Sequence, residues 1–504
     1  MKKMNLLVMS LVSAAALSFT SCSSNDDLAG DNAGQAKVDG FYMTLTVQSP
    51  KSDGTRTAVS DPENATAEEA AIKNGTLYLV DANGEIAFQE NLSGLEWSGE
   101  VKDDATKKKD GQKTFKIKVE NVKAGQIYNV YFLAGNHKPA DDMNFKATNN
   151  NFFTAATNSF ASPFADDNNF AMFNQNDADV NGKGYSVTFI KANNNEKNPA
   201  KVNYKKDGTP TTPNAPIKVE RVVARIDAPT SNSTVLADAP TGASPALKLA
   251  MKDAKEKVGK IELTNYAISN LANKSYVMQT WNSSSPAALV IPNDKEGFSY
   301  IQPTTAFGGE FDYKNGGFNT TETIKKNYVF ENSSTTAPTT MYFEYKVTLN
   351  NEKFESDADF KDDATNAGTF YRYNNVIYTS FAQIFKDYTG VADLFGTGMD
   401  ADKMKAELTN VINNETKLAE FRNKYNIEVF KGGKTYYKHV IKDNHINVNG
   451  TIQRNSIYRL NIKNIFNVGA QVPNGKTTEN EFYYLDVTVT VNPWVLNTED
   501  VDLQ

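Results

Sequence analysis

The stretch FYMTLTVQ, residues 41–48, alternates between apolar and polar side chains at every position. Phe41, Met43, Leu45 and Val47 fall on one face, while the tyrosine, two threonines and glutamine between them fall on the other. Successive side chains of a strand point to opposite faces, so this period of two predicts a β-strand with one buried face.

Similar patterns recur along the chain and indicate a mainly β protein. Alternating or continuously apolar runs include GTLYLVD, IYNVYFLAGN, YSVTFIKA, KVERVVARIDAP, KIELTNYAIS, MYFEYKVTLN and YLDVTVTVNPW. Many short strands separated by Gly, Asn and Pro predict β-sandwiches. The Pro- and Thr-rich stretch DGTPTTPNAPIK disfavours helix and central strand, and it predicts a boundary between two domains, residues 57–216 and 217–504.

Residues 400–425 depart from the strand pattern. Their apolar side chains recur at helical spacing: Met404, Leu408, Val411, Ile412, Leu418, Phe421 and Tyr425. An acidic start also suits a helix N-terminus. The segment therefore predicts a short helical insertion in the second domain, with its apolar stripe packed into a core.

Composition argues against several classes of function. The chain of 504 residues has a formal net charge of -7 and lacks a long basic stripe, so it is a poor candidate for binding nucleic acid. It has one cysteine, which excludes an intrachain disulfide, and its three histidines, His137, His439 and His445, are scattered. No phosphate-binding loop, G-x-S-x-G elbow or H-E-x-x-H motif is present. We expect neither an enzyme nor a bound cofactor.

One motif leaves a metal site open. In DADVNG, oxygen-bearing side chains at Asp177, Asp179 and Asn181 precede Gly182, as at the start of a calcium-binding loop. The twelfth position, where a bidentate glutamate would complete the site, is Thr188. A plain Asx-rich turn is the alternative, and no metal site is predicted.

Residues 1–21 predict a signal peptide of a bacterial lipoprotein. Lys2 and Lys3 precede an apolar run that is too short to span a bilayer comfortably. FTSC resembles a lipobox, in which a peptidase cuts before Cys22 and lipid such as palmitate is attached to it. An ordinary signal peptide with an incidental cysteine is the alternative. Residues 23–39 predict a flexible tether, and SSNDD within them resembles the acidic surface-export signal of Bacteroidetes lipoproteins.

The stretch DGTRTAVSD, directly after the first strand, predicts a protease site. Arg56 is flanked by small and polar residues in a region expected to be exposed. A cut between Arg56 and Thr57 would remove everything before it, including strand 41–48. The loss of that strand would open an apolar groove with unpaired backbone edges, and such edges recruit strands from other chains.

The other end of the sequence offers such a strand. In VLNTEDVDLQ, residues 495–504, Val495, Val501 and Leu503 share a face that Asn497 and Glu499 interrupt. We expect this segment to be donated to a neighbouring copy by strand addition, which would grow a head-to-tail fibre because the contact does not close.

Taken in order, several motifs resemble the fimbrillins of Bacteroidia, the subunits of type V pili, with the Mfa-type shaft subunits of minor fimbriae most similar. They are the lipobox-like leader, the first strand followed by TRT, VERVVARIDAP, TYYKHVIKDNH, RNSIYRLNIKNIFNVG and VTVTVNPW. The resemblance implies two tandem transthyretin-like β-sandwich domains, export as an outer-membrane lipoprotein precursor, maturation by an arginine-specific protease of trypsin or gingipain type, and polymerisation by strand exchange.

Carried onto this chain, the resemblance implies that residues 22–56 are removed at the Arg56–Thr57 bond and that 493–504 is the donor strand. The expected partners are identical subunits, accessory and anchor subunits of the fimbria, the protease, and the outer membrane through the lipid. The expected function is that of a structural subunit of a cell-surface fimbria that supports adhesion. A tip or accessory adhesin and a surface glycan-binding lipoprotein are the alternatives.

Overall fold

A computed structural model describes residues 40–495 except for several segments. The segments outside the description are 49–62, 65–66, 94–111, 140–141, 147–150, 156–160, 168, 176–183, 192, 206–209, 230–232, 282–288, 293–296, 302–318, 321–325, 354–367, 444–451 and 474–484.

The described strands of the first half of the chain include the predicted strand 41–48. They are β1 Phe41–Gln48, β2 Glu63–Asn64, β3 Gly75–Val80, β4 Ile86–Leu92, β5 Gln112–Val119, β6 Ile127–Ala134, β7 Phe152–Thr154, β8 Ala165–Asp166, β9 Asn169–Phe170, β10 Met172–Asn174, β11 Tyr185–Thr188, β12 Ala200–Lys201, β13 Asn203–Tyr204, β14 Ile217–Arg221, β15 Ala224–Asp227 and β16 Ser233–Thr234.

The second half contains the longest strands. They are β17 Val258–Ser269, β18 Leu271–Ala272, β19 Lys274–Tyr276, β20 Thr280–Trp281, β21 Leu289–Val290, β22 Tyr300–Ile301, β23 Asn319–Thr320, β24 Lys326–Val329, β25 Thr340–Leu349, β26 Phe370–Tyr373, β27 Val376–Tyr378, β28 Glu428–Phe430, β29 Lys434–Val440, β30 Ser456–Ile465 and β31 Leu485–Val495. The predicted mainly β class is confirmed.

Helices are short and few among the described residues. They are α1 Ala67–Ala70, α2 Pro245–Lys257, α3 Phe381–Asp387, α4 Ala401–Val411 and α5 Glu415–Tyr425, with 3₁₀ turns at Ser162–Phe164, Asn351–Lys353 and Lys431–Gly433. Helix α2 was not predicted from the sequence, although it begins with a capping serine, Ser244, and a proline at the first turn.

The strands form three larger sheets. A ten-stranded sheet has the central order β12-β1-β14-β10-β6-β11-β13 and also contains β3, β4 and β5. One five-stranded sheet has the order β2-β31-β30-β15-β24, and a second contains β16, β17, β25, β29 and β23.

Two hydrophobic cores follow each other along the chain. The buried residues of the first run from Phe41 to Val223, with a few further members from later in the sequence, and those of the second run from Ala224 to Leu485. This succession fits the predicted tandem arrangement. The domain boundary between residues 216 and 217 stays a prediction.

The predicted run KVERVVARIDAP is divided at that changeover. Its first part is β14, which pairs with β1 and β10 in the ten-stranded sheet. Its second part is β15, which pairs with β24 and β30 in a five-stranded sheet. A single apolar run in the sequence therefore connects the two cores.

The helical insertion is confirmed as a third small core. Helices α3, α4 and α5 pack with the sheet β27-β26-β28 around a cluster that includes Met404, Leu408 and Phe421. Asp400 and Asn414 cap α4 and α5 by accepting hydrogen bonds from the backbone amides of the residues three positions later. The cap at Asn414 explains why the helical pattern is divided into two helices.

Candidate functional site

Strand β1 lies inside its sheet and has partners on both sides. It pairs with β5 in antiparallel register over all eight residues, from Phe41 opposite Val119 to Gln48 opposite Gln112. On the other side it pairs in parallel with β12 and then with β14. Among the described strands, β5 has no partner other than β1. Removal of β1 would therefore leave the facing backbone groups of β5, β12 and β14 without their partners.

The apolar face of β1 fills the first core. Phe41 is 2% exposed, and Met43, Leu45 and Val47 are all 0% exposed. The Phe41 ring lies 5.2 Å from the ring of Phe189, measured between centroids. Burying each of these side chains is worth about 1.5–3 kcal/mol, so the strand contributes substantially to the stability of this core.

A short strand on the C-terminal side of the predicted cut lies beside the last strand of the chain. Strand β2 pairs in parallel with the end of β31, with Glu63 opposite Trp494 and Asn64 opposite Val495. Along the rest of its length β31 pairs with β30. Glu63 and Asn64, which come after the predicted cut in sequence, thus lie beside the first residues of the predicted donor segment.

A buried carboxylate in α1, which also follows the predicted cut in the sequence, binds this part of the chain to β15 and β24. Glu69, in α1, is 0% exposed. Its Oε1 accepts hydrogen bonds from Arg225 Nη1 at 3.2 Å, Lys326 Nζ at 2.6 Å and the Tyr328 hydroxyl at 3.2 Å. All three donors come from β15 and β24. A buried charge is tolerated only when it is paired in this way.

The network extends beyond Glu69. Arg225 also donates two hydrogen bonds to Asp227, from Nε to Oδ1 at 2.6 Å and from Nη2 to Oδ2 at 3.0 Å. Arg459 Nε donates to the same Asp227 Oδ2 at 2.8 Å. Paired donors of this kind hold an arginine side chain in one orientation. The cluster therefore joins α1 to three strands of one sheet.

Burial changes the titration of two members of this cluster. Burial lowers the pKa of Arg221 to about 9, against the opposing effect of the nearby Glu69 carboxylate. Arg221 Nε donates to the Glu69 carbonyl at 2.9 Å, and its Nη1 donates to Asn455 Oδ1 at 2.9 Å. Burial and the negative charge of Glu69 raise the pKa of Tyr328. Near neutral pH the guanidinium stays charged and the phenol stays neutral, which is the state in which both donate.

The structure brings together one of the predicted groups of site residues. Phe41, Met43, Leu45 and Val47 form the single buried face of β1, as predicted. Val495 is the last residue of β31, where its backbone pairs with Asn64. The other predicted site residues lie outside the described residues: Cys22, Arg56, Thr57, Val501 and Leu503.

The calcium motif also lies outside the described residues, since Asp177, Asp179 and Asn181 fall in segment 176–183. Within the described part of the chain, no group of three or more His, Cys, Asp or Glu side chains is placed to hold a metal ion. In the same residues no helix is both long enough and apolar enough to cross a membrane.

The buried charges around Glu69 were not predicted from the sequence. Arg221, Arg225 and Asp227 all lie in the run VERVVARIDAP, which was interpreted only as a strand. Charged side chains within an otherwise apolar strand are rarely buried without partners. Their presence was a usable sign of a buried ion-pair cluster, although the position of Glu69, more than 150 residues earlier, had no such sign.

The C-terminal strands match a known family. The model of the C-terminal domain of fimbrillin, the major fimbrial subunit protein type IV, matches residues 428–500. The C-terminal region of this chain is therefore similar to that of fimbrillins. The match spans strands β28 to β31 and includes three of the motifs on which the family was predicted: TYYKHVIKDNH, RNSIYRLNIKNIFNVG and VTVTVNPW. The assignment to an Mfa-type shaft subunit stays a prediction. The family that this region matches is one of fimbrial subunits rather than of enzymes.

Solved structures similar to this chain include a candidate cell-adhesion protein from Parabacteroides distasonis, with 14% identity, a TM-score of 0.45, and coverage of 91% of this chain and 98% of the other. A fimbrilin from Porphyromonas gingivalis has 14% identity, a TM-score of 0.40, and coverage of 91% and 99%. The fimbrial anchor protein Mfa2 from the same organism has 10% identity, a TM-score of 0.22, and coverage of 61% and 77%. No curated protein matches the chain. The family assignment rests on the C-terminal match.

Proposed function

We propose that this chain is the shaft subunit of a cell-surface fimbria that supports adhesion and is assembled by donor-strand exchange. The precursor is exported as an outer-membrane lipoprotein anchored through Cys22. An arginine-specific protease cuts the Arg56–Thr57 bond, and residues 22–56 leave with β1. The C-terminal end of segment 493–504 from a second copy then fills the vacated groove, while Pro493, Trp494 and Val495 belong to β31 of their own chain. Repetition of this contact gives a head-to-tail polymer, to which accessory and anchor subunits add.

The position of β1 is the observation that supports this proposal. The strand is buried in the first core and precedes the proposed cut in the sequence. Its partners in the sheet, β5, β12 and β14, all follow the cut. A cut at Arg56 therefore removes one complete strand and leaves the remaining strands of the sheet in a continuous chain. The groove that remains needs a strand with alternating apolar side chains, because its two edges present backbone donors and acceptors.

The test is controlled cleavage of the purified precursor. Precursor with Arg56 intact should be cut by an arginine-specific protease and should then form polymers, which size-exclusion chromatography and electron microscopy would detect. Arg56→Gln precursor treated with the same protease should stay monomeric. Cleaved protein that remains monomeric at high concentration would refute the proposal.

Removal of residues 496–504 separates a shaft subunit from a tip subunit. A shaft subunit both accepts and donates a strand, so the cut protein without these residues should no longer polymerise by itself. It should still cap the growing end of wild-type polymers, because its groove is unchanged. A tip subunit only accepts a strand, and its incorporation should not depend on the deletion.

A further inference from the structure

Lysine side chains border the solvent-facing side of β1. Thr44 lies between two of them, since its register partners are Lys116 on β5 and Lys201 on β12. Tyr42 lies opposite a third, Lys118 on β5. Side chains directly opposite each other on neighbouring strands have Cβ atoms about 4.5–5.5 Å apart, so these lysines reach the position of the residue between them. We call Lys116, Lys118 and Lys201 the lysine border.

Two lysines of the border form exposed ion pairs. Lys116 forms an ion pair of 3.8 Å with Glu196, and both side chains are more than half exposed. Lys118 pairs with Glu120 at 3.0 Å in a similarly exposed setting. Within the described part of the chain, no ion pair involves Lys201. The three lysines and these two glutamates together carry one net positive charge (three minus two), so the potential beside the strand is positive.

Strand β1 has no acidic side chain beside these lysines, whereas the proposed donor segment carries negative charges. The solvent-facing side chains of β1 next to the border are Tyr42 and Thr44, which are uncharged. In residues 496–504 the two apolar side chains Val501 and Leu503 enclose Asp502, and Asp500 lies two positions before it. When Val501 and Leu503 face the groove, both aspartates face outward.

We infer that the lysine border recognises the acidic face of this segment from a second copy and sets its register. With Val501 in the place of Met43 and Leu503 in the place of Leu45, Asp502 occupies the position of Thr44, between Lys116 and Lys201. In the same register Asp500 takes the position of Tyr42, opposite Lys118. The inference rests on the proposed strand exchange and adds the chemistry that selects the donor and its direction.

If the donor segment entered the groove in the opposite direction, its aspartates would lie next to fewer lysines of the border. With Leu503 in the place of Met43 and Val501 in the place of Leu45, Asp502 still lies at Thr44. Asp500 then lies at the position of Thr46, whose partner on β5 is Thr114 rather than a lysine. Charge complementarity therefore favours insertion in the direction of β1 itself. It also accelerates encounter, because attraction between opposite charges steers association.

The experiment compares polymerisation rates of cleaved full-length protein and variants at low and high salt. Lys116→Gln/Lys201→Gln should slow polymerisation at low salt by on the order of tenfold, because two of the charges that steer the donor segment to the groove are lost. High salt should slow the wild type and leave this variant nearly unchanged. Lys138→Gln, an exposed lysine of the same half of the chain that does not face β1, is the matched control and should behave as the wild type.

Charge reversal tests the register. Lys116→Glu/Lys201→Glu should nearly abolish polymerisation, and adding Asp502→Lys to the same chain should restore it. Circular dichroism of each uncut variant would verify that it folds. If the wild type fails to polymerise after cleavage, the proposed function is wrong. If the wild type polymerises and the lysine variants match its rate and salt dependence, strand exchange stands and the inference is wrong.

Discussion

Replacement of Leu45 by alanine should destabilise the precursor but not the polymer. Leu45 is at the centre of β1 and is 0% exposed. In the precursor its loss leaves a cavity in the first core. In the polymer, by the proposed function, β1 has been removed and another strand fills its place, so the substitution is no longer present in the assembly.

The size of the effect follows from the burial of the side chain. A fully buried leucine replaced by alanine costs about 2–5 kcal/mol, because transfer energy is lost and the cavity is only partly filled by relaxation. For a cooperative unit of roughly 150–250 residues, each kcal/mol lowers the melting temperature by about 2–4 °C. A cost of about 3 kcal/mol should therefore lower the melting temperature of the uncut protein by about 6–12 °C.

The assay is thermal unfolding of the uncut protein and of polymers made from the same preparation, followed by calorimetry. Leu77→Ala is the matched control. Leu77 is 0% exposed in the same core but lies on β3, which follows the cut, so its loss should destabilise both forms. If Leu45→Ala lowers the melting temperature of the polymer as much as Leu77→Ala does, β1 is still in the groove and the reasoning is refuted.

Three further predictions follow from the charges and side chains described above. Glu69→Gln should destabilise the precursor by about 3–5 kcal/mol in chemical denaturation, because Arg225 and Lys326 lose a buried counter-charge. The control variant Glu415→Gln breaks the exposed pair with Lys431 and should cost less than about 1 kcal/mol. Burial raises the pKa of Tyr131 to about 12, so the contribution of this side chain to stability is complete below pH 10, the pKa of the unfolded state, and is lost as the pH rises from 10 towards 12. Up to about 3 kcal/mol of unfolding free energy should be lost over that interval, in step with the ultraviolet absorbance of tyrosinate. The Tyr131→Phe variant should lose less. Glu499→Val should stabilise the polymer against dissociation in denaturant by about 1.5–3 kcal/mol, because position 499 shares the groove-facing side with Val501 and Leu503. An unchanged midpoint of the denaturant-induced dissociation curve would contradict that register.

Local patterns in the sequence predicted the site's central strand but not its surroundings. The alternation in FYMTLTVQ identified both the strand and its buried face, because a period of two is a property of consecutive residues. Its neighbours could not be predicted in this way. Strand β1 is bordered by Lys116 and Lys201, and such pairings between distant segments are set by the fold rather than by local sequence.

The same limit applies at the changeover between the cores. KVERVVARIDAP has the apolar content of one long strand, yet β14 ends at Arg221 and β15 begins at Ala224 in another sheet. Nothing in the composition of the run marks Val222 and Val223, which are both buried, as the connection. The buried arginines on either side of them both reach Glu69, Arg221 at its backbone carbonyl and Arg225 at its carboxylate.

The Glu69 cluster limits what a cut at Arg56 can release. Strand β1 is held by the first core, but β2 and α1, which follow the proposed cut, are held by β31, β15 and β24 of another sheet. Once the chain is cut, the two sides of the break therefore have separate attachments. The new N-terminal segment keeps its buried ion pairs, so its loss would cost several kcal/mol, whereas β1 retains only its non-covalent contacts and can be exchanged for the strand of a second copy. Limited proteolysis of the cleaved protein should accordingly leave the region around Glu69 intact while residues 41–48 are lost, and Glu69→Gln should make that region susceptible as well. Digestion of both regions at equal rates in the unsubstituted protein would show that the cluster does not hold the new terminus.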